Sequence, residues 1–236
     1  MGLRYFQIQI MNDRAARISN NIEPNELEYM NMDGKSKLGL APGQRINVKS
    51  PIRDFYSPSS DLGSRQIVST RVKNVLETYR DDNLVFIHCP ITKGDKILID
   101  YWITDVRLYN DEIVDIKQSQ FKLIEGWIEK KVNGVATEFG QKISVIYFKD
   151  LDEFNSFEND LNYLSSIKPV KLSIKKDCDL PYFFLRSFGI FDLIVSEELK
   201  GEIQKQKMDK GIEFKPLDIS DEDWYGPNGL RKQFYK

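Results

Sequence analysis

The sequence predicts an α+β fold, a mixed or antiparallel sheet carrying a few amphipathic helices. Three observations lead there. A capped strand-helix-strand unit occurs twice, strand-like stretches lie between the copies, and the elements interleave without the regular spacing of a doubly wound sheet. Of the 236 residues 41% are hydrophobic and 12% aromatic, enough apolar mass for a core even with 30% charged residues.

Taken in order, residues 4 to 10 (Arg-Tyr-Phe-Gln-Ile-Gln-Ile) alternate as a strand, and Asn20 to Gly43 turns polar and reads mostly as loop. Ser50 to Ser64, with Pro51, Pro58, Gly63 and several serines, reads as a connection. It places a boundary between an N-terminal lobe, 1–57, and a main domain, 58–236. The first unit then opens with Gln66-Ile67-Val68. Ser69 stands at the N-cap of a helix whose Val72, Val75, Leu76 and Tyr79 share one face, and Leu84 to Ile91 returns as a strand. Lys96 to Val106 and Ile143 to Phe148 follow as strands. Ser119 to Trp127 is a weaker one because Glu125 and Gly126 break its alternation. Asp150, with Glu153 three residues on, starts a helix expected to reach about Ser165, with Phe154, Phe157, Leu161 and Leu164 on its stripe. The second unit repeats the first opening. Leu193-Ile194-Val195-Ser196 leads a helix with Leu199 and Ile203 buried, Gly211 is placed to end it, and Ile212 to Pro216 returns. In this alignment Ser196 matches Ser69, Lys200 matches Lys73, and Pro216 matches Pro90 after a one-residue gap.

Charge and reactive residues exclude several classes of function. Lys plus Arg number 34 against 36 Asp plus Glu, a net −2, so no basic excess points to nucleic acid or to a membrane surface. The most apolar stretch, Tyr182 to Val195, is interrupted by Arg186 and Asp192 and is too short to span a bilayer. Two cysteines, Cys89 and Cys178, and the single His88 cannot staple a domain or supply a zinc site, so a reducing, cytoplasmic location, no metal and no cofactor are expected. As strand neighbours, His88 and Cys89 face opposite ways and form no dyad. No phosphate-binding glycine loop is present, and paired carboxylates such as Asp111-Glu112 are expected by chance among so many acids. No catalytic residue is assigned, and a non-enzymatic protein is expected.

Two acidic clusters carrying aromatics are the candidate partner-binding residues. Between Asp150 and Ser165 there are five acids and no Lys or Arg. If this stretch is helical, Asp152, Glu153, Asp160 and Tyr163 lie away from its apolar stripe. The second cluster is Asp221, Glu222, Asp223 and Trp224, just before the Gly226-Pro-Asn-Gly229 turn. Such faces suit a basic protein partner, with Tyr or Trp as anchor.

From Pro51 to about residue 217 a run of short motifs recurs in order: Pro51-Ile-Arg-Asp54-Phe55, Gln-Ile-Val-Ser69 opening a helix, Pro181-Tyr-Phe-Phe-Leu-Arg186, Ile194-Val-Ser-Glu-Glu-Leu-Lys200 and Gly211-Ile-Glu-Phe-Lys-Pro216. In this the chain resembles immunity protein family 11 of bacterial polymorphic toxin systems. The resemblance implies a cytoplasmic bacterial protein that binds and neutralises a cognate toxin by direct protein-protein inhibition, and it carries no catalytic residues. The rival classes are a small hydrolase or transferase using surface carboxylates, and a scaffold protein without inhibitory role.

Overall fold

The computed structural model describes residues 4–11, 16–17, 25–30, 36–41, 44–57 and 65–235. In chain order the strands of the first half are β1 Tyr5–Ile10, β2 Ala16–Arg17, β3 Asn25–Met30, β4 Ser36–Ala41, β5 Gln44–Arg45, β6 Phe55–Tyr56 and β7 Ile67–Ser69. Helix α1, Thr70–Tyr79, leads to β8 Leu84–His88, β9 Ile91–Lys93, β10 Lys96–Leu98 and β11 Tyr101–Val106. The second half contains β12 Gln120–Val132, β13 Val135–Ile146, α2 Leu151–Asn159, β14 Ser166–Lys171, β15 Tyr182–Phe183, β16 Ile194–Ser196, α3 Glu197–Lys205, β17 Ile212–Pro216, α4 Asp221–Tyr225 and α5 Arg231–Phe234. Several antiparallel sheets with a few helices make this an α+β fold.

The two strand-helix-strand units build sheets of the same design. One sheet runs β6-β7-β11-β8 and the other β15-β16-β1-β17, so each helix crosses over a central strand antiparallel to both strands it joins. The match extends to single hydrogen bonds. Ser69 N donates to Asp54 O and Ser196 N to Pro181 O; Thr70 N donates to Asp100 O and Glu197 N to Arg4 O; Thr104 N donates to Gln66 O and Ile8 N to Leu193 O. Register makes Phe6 the counterpart of Trp102, since Phe6 faces Val195 as Trp102 faces Val68. It corrects one expected correspondence. Pro216 lies opposite Phe6 as His88 lies opposite Trp102, so His88, and not Pro90, is the counterpart of Pro216.

A third crossover shares this strand order. β13, α2 and β14 flank β12 as β13-β12-β14. Its helix is capped by Asp150 in place of a serine, with Asp150 Oδ1 accepting from Glu153 N at 2.8 Å.

Packing follows from strand alternation, which sends neighbouring side chains to opposite faces. Phe6, Ile8, Phe55, Val68, Tyr182 and Val195 point from the two four-stranded sheets into a shared core, joined by Val72 and Leu76 of α1 and Leu199 and Ile203 of α3. The opposite face of the first sheet, Tyr56, Ile67, Tyr101 and Ile103, packs on Ile46, Cys89 and Ile91. The opposite face of the second, Tyr5, Phe183 and Ile194, packs on a core with Phe121, Phe148, Phe154 and Phe188. The β6-β7-β11-β8 and β15-β16-β1-β17 sheets are therefore covered on both faces.

Several boundaries differ from expectation. Residues 20 to 43, expected to be mostly loop, contain the antiparallel pair β3 and β4. The domain boundary expected at 57/58 falls against residues 58–64, outside the described residues. On its N-terminal side β1 is the central strand between β16 and β17, and β6 pairs with β7. Helix α3 stops at Lys205 and Lys207 takes the left-handed conformation, φ 57°, that was expected of Gly211. Gly211 (φ 83°) instead opens β17, where a Cβ would run into the Arg53 side chain.

The serine caps give a first prediction. Ser196 Oγ accepts from Leu199 N at 3.3 Å, whereas Ser69 Oγ accepts from Val72 N at 3.4 Å and also donates to Asp54 Oδ1 at 2.6 Å. Ser196→Ala is expected to lower the unfolding free energy by about 1 kcal/mol, and Ser69→Ala by more, because it also strips Asp54 of a donor. Urea denaturation of both variants checks the order.

Candidate partner-binding surface

The surface that stands out is built on β12 and β13, the longest strands. They are joined by Asn133-Gly134, both with positive φ (51° and 80°), the backbone pattern that matches the twist of a two-residue hairpin. The hairpin is anchored at its base, where Phe121 is fully buried and Ile146 and Ile167 pack with it. From Phe121 the strand runs eleven residues to Val132, roughly 35–40 Å at about 3.4 Å per residue. In the sequence Glu125 and Gly126 break the alternation of this strand. The structure gives that glycine a reason: the Leu164 backbone and side chain sit where a Cβ would be, and Gly126 N donates to Ser165 Oγ at 3.0 Å. Gly140 is equivalent in use, since the Trp127 indole occupies its Cβ position.

One face of this three-stranded sheet covers the aromatic core, and on the other, where Leu164 lies over Gly126, a row of apolar side chains is exposed. On the open face Ile143 lies opposite Ile124, Val145 opposite Lys122, and Phe139 opposite Ile128. Phe139 is 61% exposed, Ile143 58% and Val145 54%. Tyr147 continues the row and accepts a hydrogen bond from Gln120 Nε2 at 3.1 Å. The other two crossover sheets bury the corresponding side chains, so the open face is a property of this unit alone among the three. The row is broken by Gln141 and bordered by Lys122 and Lys168, and an exposed apolar group of this size suits contact with another molecule.

Of the first acidic cluster only Tyr163 falls beside this face, because α2 packs through Phe154 on the Phe121 side of the sheet. Helix α2 ends at Asn159, not near Ser165, because Asn162 Oδ1 accepts from Leu164 N at 2.8 Å and closes a turn that competes with helix. Leu161 and Leu164 therefore leave the expected helical stripe. Tyr163 sits on that turn, 84% exposed, next to the Leu164 that lies on Gly126. Asp152 is exposed on α2, and Asp160 is its exposed C-cap. Glu153 is occupied locally: its Oε2 accepts from Lys149 N at 2.6 Å, which stabilises the helix start.

The second cluster is not an accessible anchor. Trp224 is 2% exposed, its ring stacking on Phe234 with centroids 5.9 Å apart, so the partner-binding role expected of it is overturned by burial. Its acids are engaged at home. Asp221 pairs with Lys215, and Asp223 pairs with Lys171 at 3.0 Å while accepting from Ser220 Oγ at 2.8 Å, contacts with Ser220 first among them that hold its carboxyl below the usual range. Glu222 is exposed at the short α4, where its carbonyl accepts from Gly226 N.

The reactive residues are placed apart. Cys89 is buried, and burial pushes its thiol up to about 12, which leaves almost no thiolate at neutral pH. His88 Nε2 lies 2.7 Å from Ile99 O and its ring 5.2 Å from Trp102. Cys178 receives the Tyr5 hydroxyl, at 3.1 Å on its carbonyl and 3.3 Å on its sulfur. Among the described residues no group of three or more His, Cys, Asp or Glu is gathered as a metal site requires, and no helix is long and apolar enough to cross a membrane. No family model and no curated protein matches this chain.

Proposed function

We propose that this chain is an immunity protein that binds a cognate bacterial toxin and neutralises it by direct protein-protein contact. The observation that carries the reading is the exposed row of Phe139, Ile143, Val145 and Tyr147 on one face of the β13-β12-β14 sheet, with the exposed Tyr163 near it. The order of the Val-Ser-x-x-Leu-Lys and Gly-x-x-Phe-x-Pro motifs in the sequence supports the same reading.

Such a face supplies the dry centre of an interface, and Tyr163 the aromatic anchor near its rim. Asp152 and Asp160 add negative potential on the same crossover, which suits a toxin with a basic cleft and speeds encounter more than it tightens the complex.

The experiment is co-expression with the product of each gene adjacent to this one, scored for toxicity, for growth rescue and for binding of the purified pair. Tyr163→Ala is expected to weaken binding by about 2 kcal/mol, roughly thirtyfold. Reversing Asp152 and Asp160 to Lys changes the charge by 2 × 2 = 4 units, and is expected to slow association at low salt and flatten its salt dependence. A chain that neither rescues growth nor binds the toxin removes the immunity reading.

A further inference from the structure

Helices α1 and α3 each hold a lysine over two aromatic rings, and the comparison isolates a lysine without an acid one turn on. In the first unit Lys73 Nζ stands 5.5 Å from the Phe86 ring centre and 5.1 Å from that of Trp102. In the second, Lys200 Nζ stands 3.9 Å from Phe6 and 5.8 Å from Phe214, the register counterparts of Trp102 and Phe86. Lys73 is ion-paired to Glu77, one turn on, at 2.6 Å. The residue one turn on from Lys200 is Gln204. Among the described residues no carboxylate forms an ion pair with Lys200.

Lys200 opens onto a cavity of about 640 Å³ between α3, β17 and the segment that carries α4 and α5. Phe6, Phe214 and Trp224 give the cavity an apolar wall, and its polar lining sets Arg4, Lys200 and Lys210 against the carboxylates of Glu197 and Asp209. Arg4 has an acid of its own, Asp218 at 3.7 Å. Among the described residues the Trp224 indole N–H is buried and has no acceptor. The volume falls in the range of small-molecule sites, about 300–1,000 Å³.

We propose that this cavity binds an apolar carboxylate, a free organic acid or the carboxylate end of a peptide with an apolar last residue. The ligand carboxylate takes on Lys200 the place that Glu77 holds on Lys73, and its hydrocarbon or aromatic body lies on the Phe6, Phe214 and Trp224 wall. Burial pushes the Lys200 ammonium below the usual lysine range, with Glu197 one turn back offsetting this only in part, so an arriving carboxylate meets a poorly solvated cation. The cavity is separate from the open sheet face, and its occupation does not depend on the toxin reading.

The test is calorimetric titration of the full chain with phenylbutyrate and with a short peptide ending in Phe, each against its neutral form, phenylbutanol and the peptide amide. At least one acid is expected to bind about tenfold or more tighter than its neutral form. Binding of phenylbutyrate alone identifies a small-acid site, and binding of the peptide acid alone a chain-end site. Gln204→Glu, which rebuilds the pair already present at Lys73, is expected to remove binding while keeping the thermal midpoint. Lys200→Met is expected to do the same, and Lys73→Met to leave affinity unchanged. Failure of both acids to bind at millimolar concentration, equal binding of the neutral forms, or a folded Gln204→Glu variant with parental affinity would overturn the proposal.

Discussion

With Phe139→Asp and Ile143→Asp combined, toxin affinity is expected to fall by about a hundredfold or more, and growth rescue to disappear, while the chain stays folded. The size follows from putting two charges at the centre of a surface that must dry on binding, where single anchors are worth about 2 kcal/mol or more. Stability changes little because both side chains already face solvent, at 61% and 58% exposure, so the main cost is strand propensity, about 1 kcal/mol. Aspartates at Ile97 and Ile99, equally exposed but on a different sheet edge, serve as the matched control and are expected to leave rescue intact. Rescue of growth by the Phe139/Ile143 variant would move the contact elsewhere on the molecule.

The second large effect concerns what holds that hairpin to the body. Phe121 is fully buried and meets three other rings, Phe148 at 5.5 Å, Phe154 at 5.2 Å and Phe188 at 6.0 Å between centroids. These rings come from β12, the link before α2, α2 itself and the loop before β16. A cavity there cannot close by moving one of them alone. Phe121→Ala is therefore expected to lower the unfolding free energy by about 3–5 kcal/mol. Phe157→Ala, on the exposed side of the same cluster, is expected to cost well under half as much, because among the described rings Phe157 packs on Phe148 alone and is 39% exposed. Chemical denaturation of the two variants measures the difference, and similar losses would mean that the cluster is not the anchor described.

The local devices of this fold were legible because they depend on neighbours in sequence. Ser69, Ser196 and Asp150 cap helices where the spacing placed them, and Val72, Leu76, Leu199 and Ile203 are buried on the expected stripes. What could not be read is where distant segments meet. Gly126 and Gly140 weaken a strand as judged by propensity, yet each is required by a partner, Leu164 from another strand connection and Trp127 from across the hairpin. Asn133-Gly134 was the available signal for the turn between them. Trp224 looked like an anchor because acids surround it in sequence, whereas Lys171 and Lys215, brought from other strands, neutralise two of those acids and Phe234 covers its ring. Tyr163 was singled out for the wrong local reason, a helix face, and lies on a turn that presents it more fully.

The central strand of the second sheet has a consequence for how the molecule is made. Phe6 of β1 pairs with Val195, a separation of 195 − 6 = 189 residues, and with Pro216 beyond it. At about 5–20 residues per second a ribosome takes roughly 10–40 s to reach the first of these partners. During that interval Phe6 and Ile8 have neither of the strands that shelter them, and α1 lacks the helix and half the core it will share. The first sheet draws on residues 55 to 106 and can close early, so it offers the nascent chain a platform. The aromatic core and the shared core between the sheets form only once β16 and β17 have emerged, which makes the final assembly a late, long-range step of the kind that chaperones are suited to protect.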